Sequence, residues 1–98
     1  MSPYVVITAY NTKPGEREIM KSKLPELKTL LESFDGFIAM DVFNVENNDD
    51  KLTVVMQWES QAAAAALLRH PNAQKDAVFA DIRENDAGDC FIQHLMKE

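Results

Sequence analysis

The 98-residue sequence predicts an α+β fold with its elements in the order β-α-β-β-α-β. Three observations carry this. Four short runs, residues 4–10, 37–45, 52–58 and 90–96, are rich in β-branched, aromatic and other apolar side chains and read as strands. The longer stretches between them place apolar residues at helical spacing. Glycine, proline and Asn/Asp clusters fall at the joints.

The first strand, Tyr4-Val5-Val6-Ile7-Thr8-Ala9-Tyr10, ends in the turn chemistry of Asn11-Thr12-Lys13-Pro14-Gly15. A helix over residues 16–34 follows, with Ile19, Met20, Leu24, Leu27, Leu30, Leu31 and Phe34 on its apolar face. Pro25 removes one backbone donor inside it and predicts a bend or a split. Asp35-Gly36 closes the element, glycine suiting a left-handed cap. The second and third strands flank Asn47-Asn48-Asp49-Asp50 and form an antiparallel hairpin. Ser60 is the expected N-cap of a helix through the five alanines Ala62 to Ala66 and on to residue 69. His70-Pro71 interrupts it, and a new helix is expected from there to about residue 85, because proline is tolerated in a first turn. Asp86-Ala87-Gly88 turns the chain into the last strand.

This is the ferredoxin-like βαββαβ order: a four-stranded antiparallel sheet with the helices on one face, in a single domain over residues 1–98. The other sheet face then has to be accounted for. Along the first three strands neither alternate set is cleanly polar: Tyr4, Val6, Thr8, Tyr10 against Val5, Ile7, Ala9 in the first, for example. A sheet wetted on one side alternates apolar with polar residues. Both faces therefore read as covered, and in a chain this short the expected cover is a second copy, packed sheet to sheet.

Composition narrows the function classes. Hydrophobic residues make up 46% and charged residues 27%, a folded rather than disordered balance. The net charge of −6 and a pI near 4.8, with no basic cluster, argue against nucleic acid and against anionic membranes. A single cysteine, Cys90, excludes an internal disulfide and a multi-cysteine metal site. His70 and His94 lack metal-ligand spacing, and Gly15, Gly36 and Gly88 are too isolated to cradle a phosphate. No apolar run reaches the ~20 residues of a membrane span. The N-terminus lacks a signal-peptide layout, so the expected location is cytoplasmic.

Three short motifs occur in a telling order. Thr12-Lys13-Pro14-Gly15-Glu16 follows the first strand, Asp35-Gly36-Phe37 opens the second, and Gln57-Trp58-Glu59-Ser60 ends the third. Together they resemble the antibiotic biosynthesis monooxygenase (ABM) domain of the dimeric α/β-barrel superfamily, with Trp-Glu-Ser the most specific of the three. The resemblance spans nearly the whole chain. It implies a dimeric α/β barrel and a cofactor-independent monooxygenase of a small electron-rich aromatic or quinol-type substrate. The family's other outcomes are a haem-degrading branch and members with no assigned activity, so a non-catalytic ligand-binding or stress-associated dimer is the alternative. The haem branch carries asparagine, tryptophan and histidine where this chain has Thr8, Leu67 and Ala77, which speaks against haem degradation.

An oxygenase without a cofactor needs a substrate that itself reduces O2. The protein then supplies a dry pocket, a proton acceptor and donors for the developing anion. Trp58 is the expected pocket wall, with a strand-end structural anchor as its other reading. His70 is the expected base, since imidazole titrates near neutral pH, or else a cation at a helix C-terminus. Thr8 and Tyr10 share a strand face with Tyr4 and are the expected substrate hydrogen-bonders. His94 reads as a satisfied core or interface histidine, or as a haem ligand like His70. Cys90 reads as a small buried hydrophobe, and Asp41 and Gln57 as groups that meet across the sheet or at the dimer interface and set register.

Overall fold

The structure, a computed structural model, describes residues 3–69, 72–88 and 90–96. Its strands are β1 (Tyr4–Asn11), β2 (Phe37–Asn44), β3 (Lys51–Trp58) and β4 (Phe91–Met96). They form one antiparallel sheet in the order β2-β3-β1-β4, the ferredoxin-like topology expected. The helices are α1 (Arg17–Leu31), α2 (Gln61–Arg69) and α3 (Ala73–Arg83). None among the described residues is long and apolar enough to cross a membrane.

Helix α1 buries Met20, Leu24, Leu27, Leu30 and Leu31, the face its spacing predicts. These side chains meet Leu52, Val54, Met56 and Trp58 of β3 in the core. Two expectations for α1 are corrected. Ile19 is 50% exposed, one position off the buried stripe. Of the bend or split expected at Pro25, the split does not occur: the helix runs through it, the proline standing on the exposed side, where a missing donor leaves no buried carbonyl unpaired. The helix stops at Leu31, short of residue 34, and two turn bonds finish it: Ser33 N–H to the Leu30 carbonyl and Phe34 N–H to that of Leu31.

Ser60 caps the start of α2, its Oγ accepting from Ala63 N–H at 3.1 Å. The next helix begins later than expected. Asn72 is its N-cap, accepting from Lys75 N–H at 3.0 Å, and α3 ends at Arg83. Lys75 is buried and donates its Nζ to the Leu67 carbonyl at 2.6 Å. Lys75 thus joins Arg69 of the last turn as a cation at the C-terminal end of α2, where it satisfies an end carbonyl and meets the helix dipole; His70, the cation expected there as an alternative, lies outside the described residues.

Gly36, at φ +85°, brings the start of β2 against α2: a Cβ there would lie 2.6 Å from Ala63 Cβ. A left-handed non-glycine residue costs about 1–2 kcal/mol and the overlap adds to it. Gly36→Ala is expected to lower unfolding stability by about 2 kcal/mol in urea titration, and Ala63→Gly to restore only the overlap part. Wild-type stability in Gly36→Ala would remove the close approach from this account.

Strand register sorts the sheet's two faces. Away from the helices, Asp41, Val55, Ile7 and Gln93 form a row across all four strands. Phe43, Thr53, Ala9 and Phe91 form a second, and Ala39, Gln57, Val5 and Leu95 a third. Asp41 and Gln57 are therefore diagonal neighbours on this outer face rather than a directly opposed pair. Phe43 is 53%, Phe91 59% and Leu95 44% exposed there. This mostly apolar face has no cover among the described residues.

Candidate functional site

The inner face of β1 and β4 and the helices α2 and α3 enclose an open cavity of about 690 Å³. That lies inside the ~300–1,000 Å³ typical of small-molecule sites. From β1 come Tyr4, Val6, Thr8 and Tyr10, the alternate set on one strand face. Met56 and Trp58 add the β3 wall, and Ile92 and His94 the β4 wall. Helix α3 contributes Phe79, Ile82 and Arg83.

Three of the four expected site residues thus meet in one cavity: Trp58, Thr8 and Tyr10. His70, the expected base, lies outside the described residues. Trp58 serves both of its readings. It is 1% exposed, packs edge-to-face on Phe37 with ring centroids 5.4 Å apart, and also lines the cavity. Thr8 is 8% exposed, and its hydroxyl has no hydrogen-bond partner among the described residues, so it is available to a ligand.

His94 departs from the core half of its reading. It is exposed and lines the cavity, and its Nδ1 lies 2.7 Å from the Tyr4 hydroxyl. The two rings are tilted at 55°, with centroids 5.7 Å apart. Tyr4 itself is 7% exposed. The signal for this pair was present in strand parity: Tyr4 shares a face with Thr8 and Tyr10, and His94 with Ile92. Only the β1–β4 register, with Val6 opposite His94, brings them together. Cys90 is also corrected: it is exposed at the cavity rim rather than buried.

The far end of the cavity is electrostatically distinct. Burial, and then the charges of Cys90 and Asp86, push the Tyr10 phenol up to about 12, against a smaller opposing effect of Arg83. The protonated phenol is therefore favoured by folding. Its contribution is complete below the ordinary value near 10 and is lost as pH rises from there towards 12. Wild-type stability is expected to fall across that window more steeply than that of Tyr10→Phe in urea titrations at stepped pH. Parallel curves would contradict the burial of this hydroxyl.

The family model for antibiotic biosynthesis monooxygenase matches residues 3–76. The chain belongs to the antibiotic biosynthesis monooxygenase family. No curated protein matches it in sequence. Solved structures do match in shape. A conserved protein of Methanosarcina mazei Go1 superposes with a TM-score of 0.86 at 17% identity, covering 100% of this chain and 95% of that one. PA3566 from Pseudomonas aeruginosa gives 0.77 at 21% identity, covering 100% and 96%. An antibiotic biosynthesis monooxygenase gives 0.78 at 16%, covering 97% and 98%. At such identities the likeness establishes the fold alone.

Of the positions that depart from the family's haem-degrading branch, Thr8 and Leu67 line the cavity, while Ala77 is exposed on α3. The described residues also contain no group of three or more His, Cys, Asp or Glu able to hold a metal ion.

Proposed function

We propose that this member of the antibiotic biosynthesis monooxygenase family is a cofactor-independent monooxygenase of a small, electron-rich aromatic or quinol-type molecule, acting as a homodimer. The observation that carries the reading is the cavity itself: a mainly apolar chamber walled by Trp58, with hydroxyl and imidazole groups on its sheet floor and Lys75, Asp76, Arg83 and Asp86 also in its lining. Apolar walls exclude water and favour a flat aromatic guest. The few polar groups can orient a hydroxyl and handle its proton.

The chemistry balances without a cofactor for a phenol with a ring C–H to oxidise. The substrate gives four electrons to O2. One oxygen atom ends as the new carbonyl of a quinone. The other leaves as water with the hydrogens of the O–H and the C–H. The protein's part is to bind the phenol, ionise it and hold the anion near O2.

The homodimer rests on the outer sheet face. Its three rows place Val5, Ile7, Val55, Phe43, Phe91 and Leu95 on one surface. A contiguous apolar face of this kind marks an interaction site, and an aligned sheet-to-sheet packing buries it.

Oxygen uptake with a panel of hydroxynaphthalenes and quinols tests the enzyme reading. Trp58 is the sole tryptophan, so its fluorescence reports cavity binding separately. Turnover above buffer is the expected result. Quenching without oxygen uptake would make the protein a binder in place of an enzyme, and neither response would end both readings.

A further inference from the structure

We infer that His94, oriented by Tyr4, is the proton acceptor of the cavity, and that a ligand's ionisable hydroxyl binds at the Trp58 end and not at the Tyr10 end. This rests on reading the cavity as a site for a phenol-like ligand, and it places the base at His94 instead of His70.

Register is the first ground. Tyr4 lies between Trp58 of β3 and Met96 of β4, and His94 lies opposite Val6, one pair further along the same face. Pairing on both sides fixes the backbone of Tyr4, and burial holds its ring. Its hydroxyl takes the Nδ1 side of His94 at 2.7 Å. The Nε2 atom, across the ring, has no hydrogen-bond partner among the described residues. A histidine with one nitrogen held by a fixed group and the other free is poised to exchange a proton at the free one.

The second ground is where the other ionisable groups stand. Arg83, Asp86 and Cys90 all act on Tyr10 and so gather at its end. Six residues of strand, about 20 Å, separate Tyr10 from Tyr4. Lys75 commits its ammonium to the Leu67 carbonyl, with Asp76 4.0 Å away. The Asp76 carboxylate, 76% exposed and 4.0 Å from the Lys75 ammonium, lines the cavity from α3, while on the sheet floor at the Trp58 end the Tyr4–His94 pair is the group described that can take up a ligand's proton. That is also where the indole offers a ring wall.

The step uses the tautomer in which Nδ1 carries the proton and donates it to Tyr4 Oη, leaving Nε2 as the acceptor. The ligand's O–H bond breaks, a new N–H bond forms at Nε2, and the electron pair stays on the ligand oxygen. The imidazolium keeps its Nδ1–H bond to Tyr4 Oη, so Tyr4 acts as a positioning residue that supports the charged ring. Thr8, two pairs along β1 from Tyr4, has a free hydroxyl for the anion.

The probe is 4-nitrophenol, whose phenolate absorbs apart from its phenol, with binding read independently from Trp58 fluorescence. Below the pH where the free probe ionises, the wild-type protein is expected to hold it as phenolate. His94→Gln keeps a polar side chain on an exposed strand position and is expected to bind the probe but lower the phenolate-to-phenol ratio about tenfold or more. Tyr4→Phe, isosteric at a buried site, is expected to move the pH midpoint of bound-probe ionisation part of the way, with an unchanged far-UV spectrum. Equal ionisation in wild type and His94→Gln overturns the inference and leaves the cavity reading standing. So does loss of phenolate in Arg83→Gln but not in His94→Gln, which would move the site to the Tyr10 end. Failure of wild type to bind the probe overturns the cavity reading and this inference with it.

Discussion

Trp58→Ala is expected to cost about 3–5 kcal/mol of unfolding stability, the range for removing a large aromatic side chain from a core. Small domains are stable by only ~5–15 kcal/mol, so much of the population at ambient temperature would be at risk. The cost comes from three losses at one position. The indole is 1% exposed, it anchors Phe37 across the β2–β3 pairing, and it forms the cavity wall beside Tyr4. An alanine leaves a void continuous with the cavity, which water can enter, so the site cannot repack tightly. Trp58→Phe keeps an aromatic volume and should recover more than half of the loss. The measurement is urea unfolding followed by far-UV circular dichroism, at one protein concentration because the proposed association would contribute to stability. A change below about 1 kcal/mol in Trp58→Ala would show that the indole is only a ligand wall and not a core residue.

Ile7→Asp is expected to convert the proposed dimer to monomer. Ile7 sits centrally on the outer sheet face, between Val55 and Gln93 in the row that begins at Asp41. Burying an uncompensated carboxylate costs several kcal/mol, and a two-fold interface receives the substitution twice. A loss of about 4 kcal/mol already raises Kd roughly 10³-fold. Sedimentation velocity at micromolar concentration reads the change directly. A wild-type monomer under those conditions would refute the homodimer, and an intact Ile7→Asp dimer would move the interface off this face. Ile7 points away from the cavity, so Trp58 fluorescence in the same variant also tells whether ligand binding needs the second copy.

Much of the fold was legible because its signals are local. Val5, Val6 and Ile7 declare a strand, Ser60 a cap, and the leucines from Leu24 to Leu31 a buried helix face, each within a few residues of itself. The misjudged details were those in which burial overrode propensity. Pro25 is tolerated because its side of α1 is exposed, and Ile19 is exposed because the buried stripe begins at Met20. The helix after Pro71 starts at Asn72 because that side chain can reach Lys75 N–H.

The site divides along the same line. Thr8, Tyr10 and Trp58 follow from parity on single strands, so the sequence placed them on one face without knowing what faced them. His94 could not be read that way. Its meaning depends on β4 pairing with β1, some 90 residues apart in sequence, and on the hydroxyl of Tyr4 falling 2.7 Å from Nδ1. The sequence alone determined the element order, the family and an apolar sheet with two faces to cover, since periodicity and turn chemistry are properties of neighbours along the chain. The tertiary structure decided that α2 and α3 leave a cavity over β1 and β4, that Lys75 reaches the Leu67 carbonyl at the end of α2, and that Tyr4 and His94 form a pair. Hydrogen bonds and cavities join residues distant in sequence, and no local pattern encodes those distances.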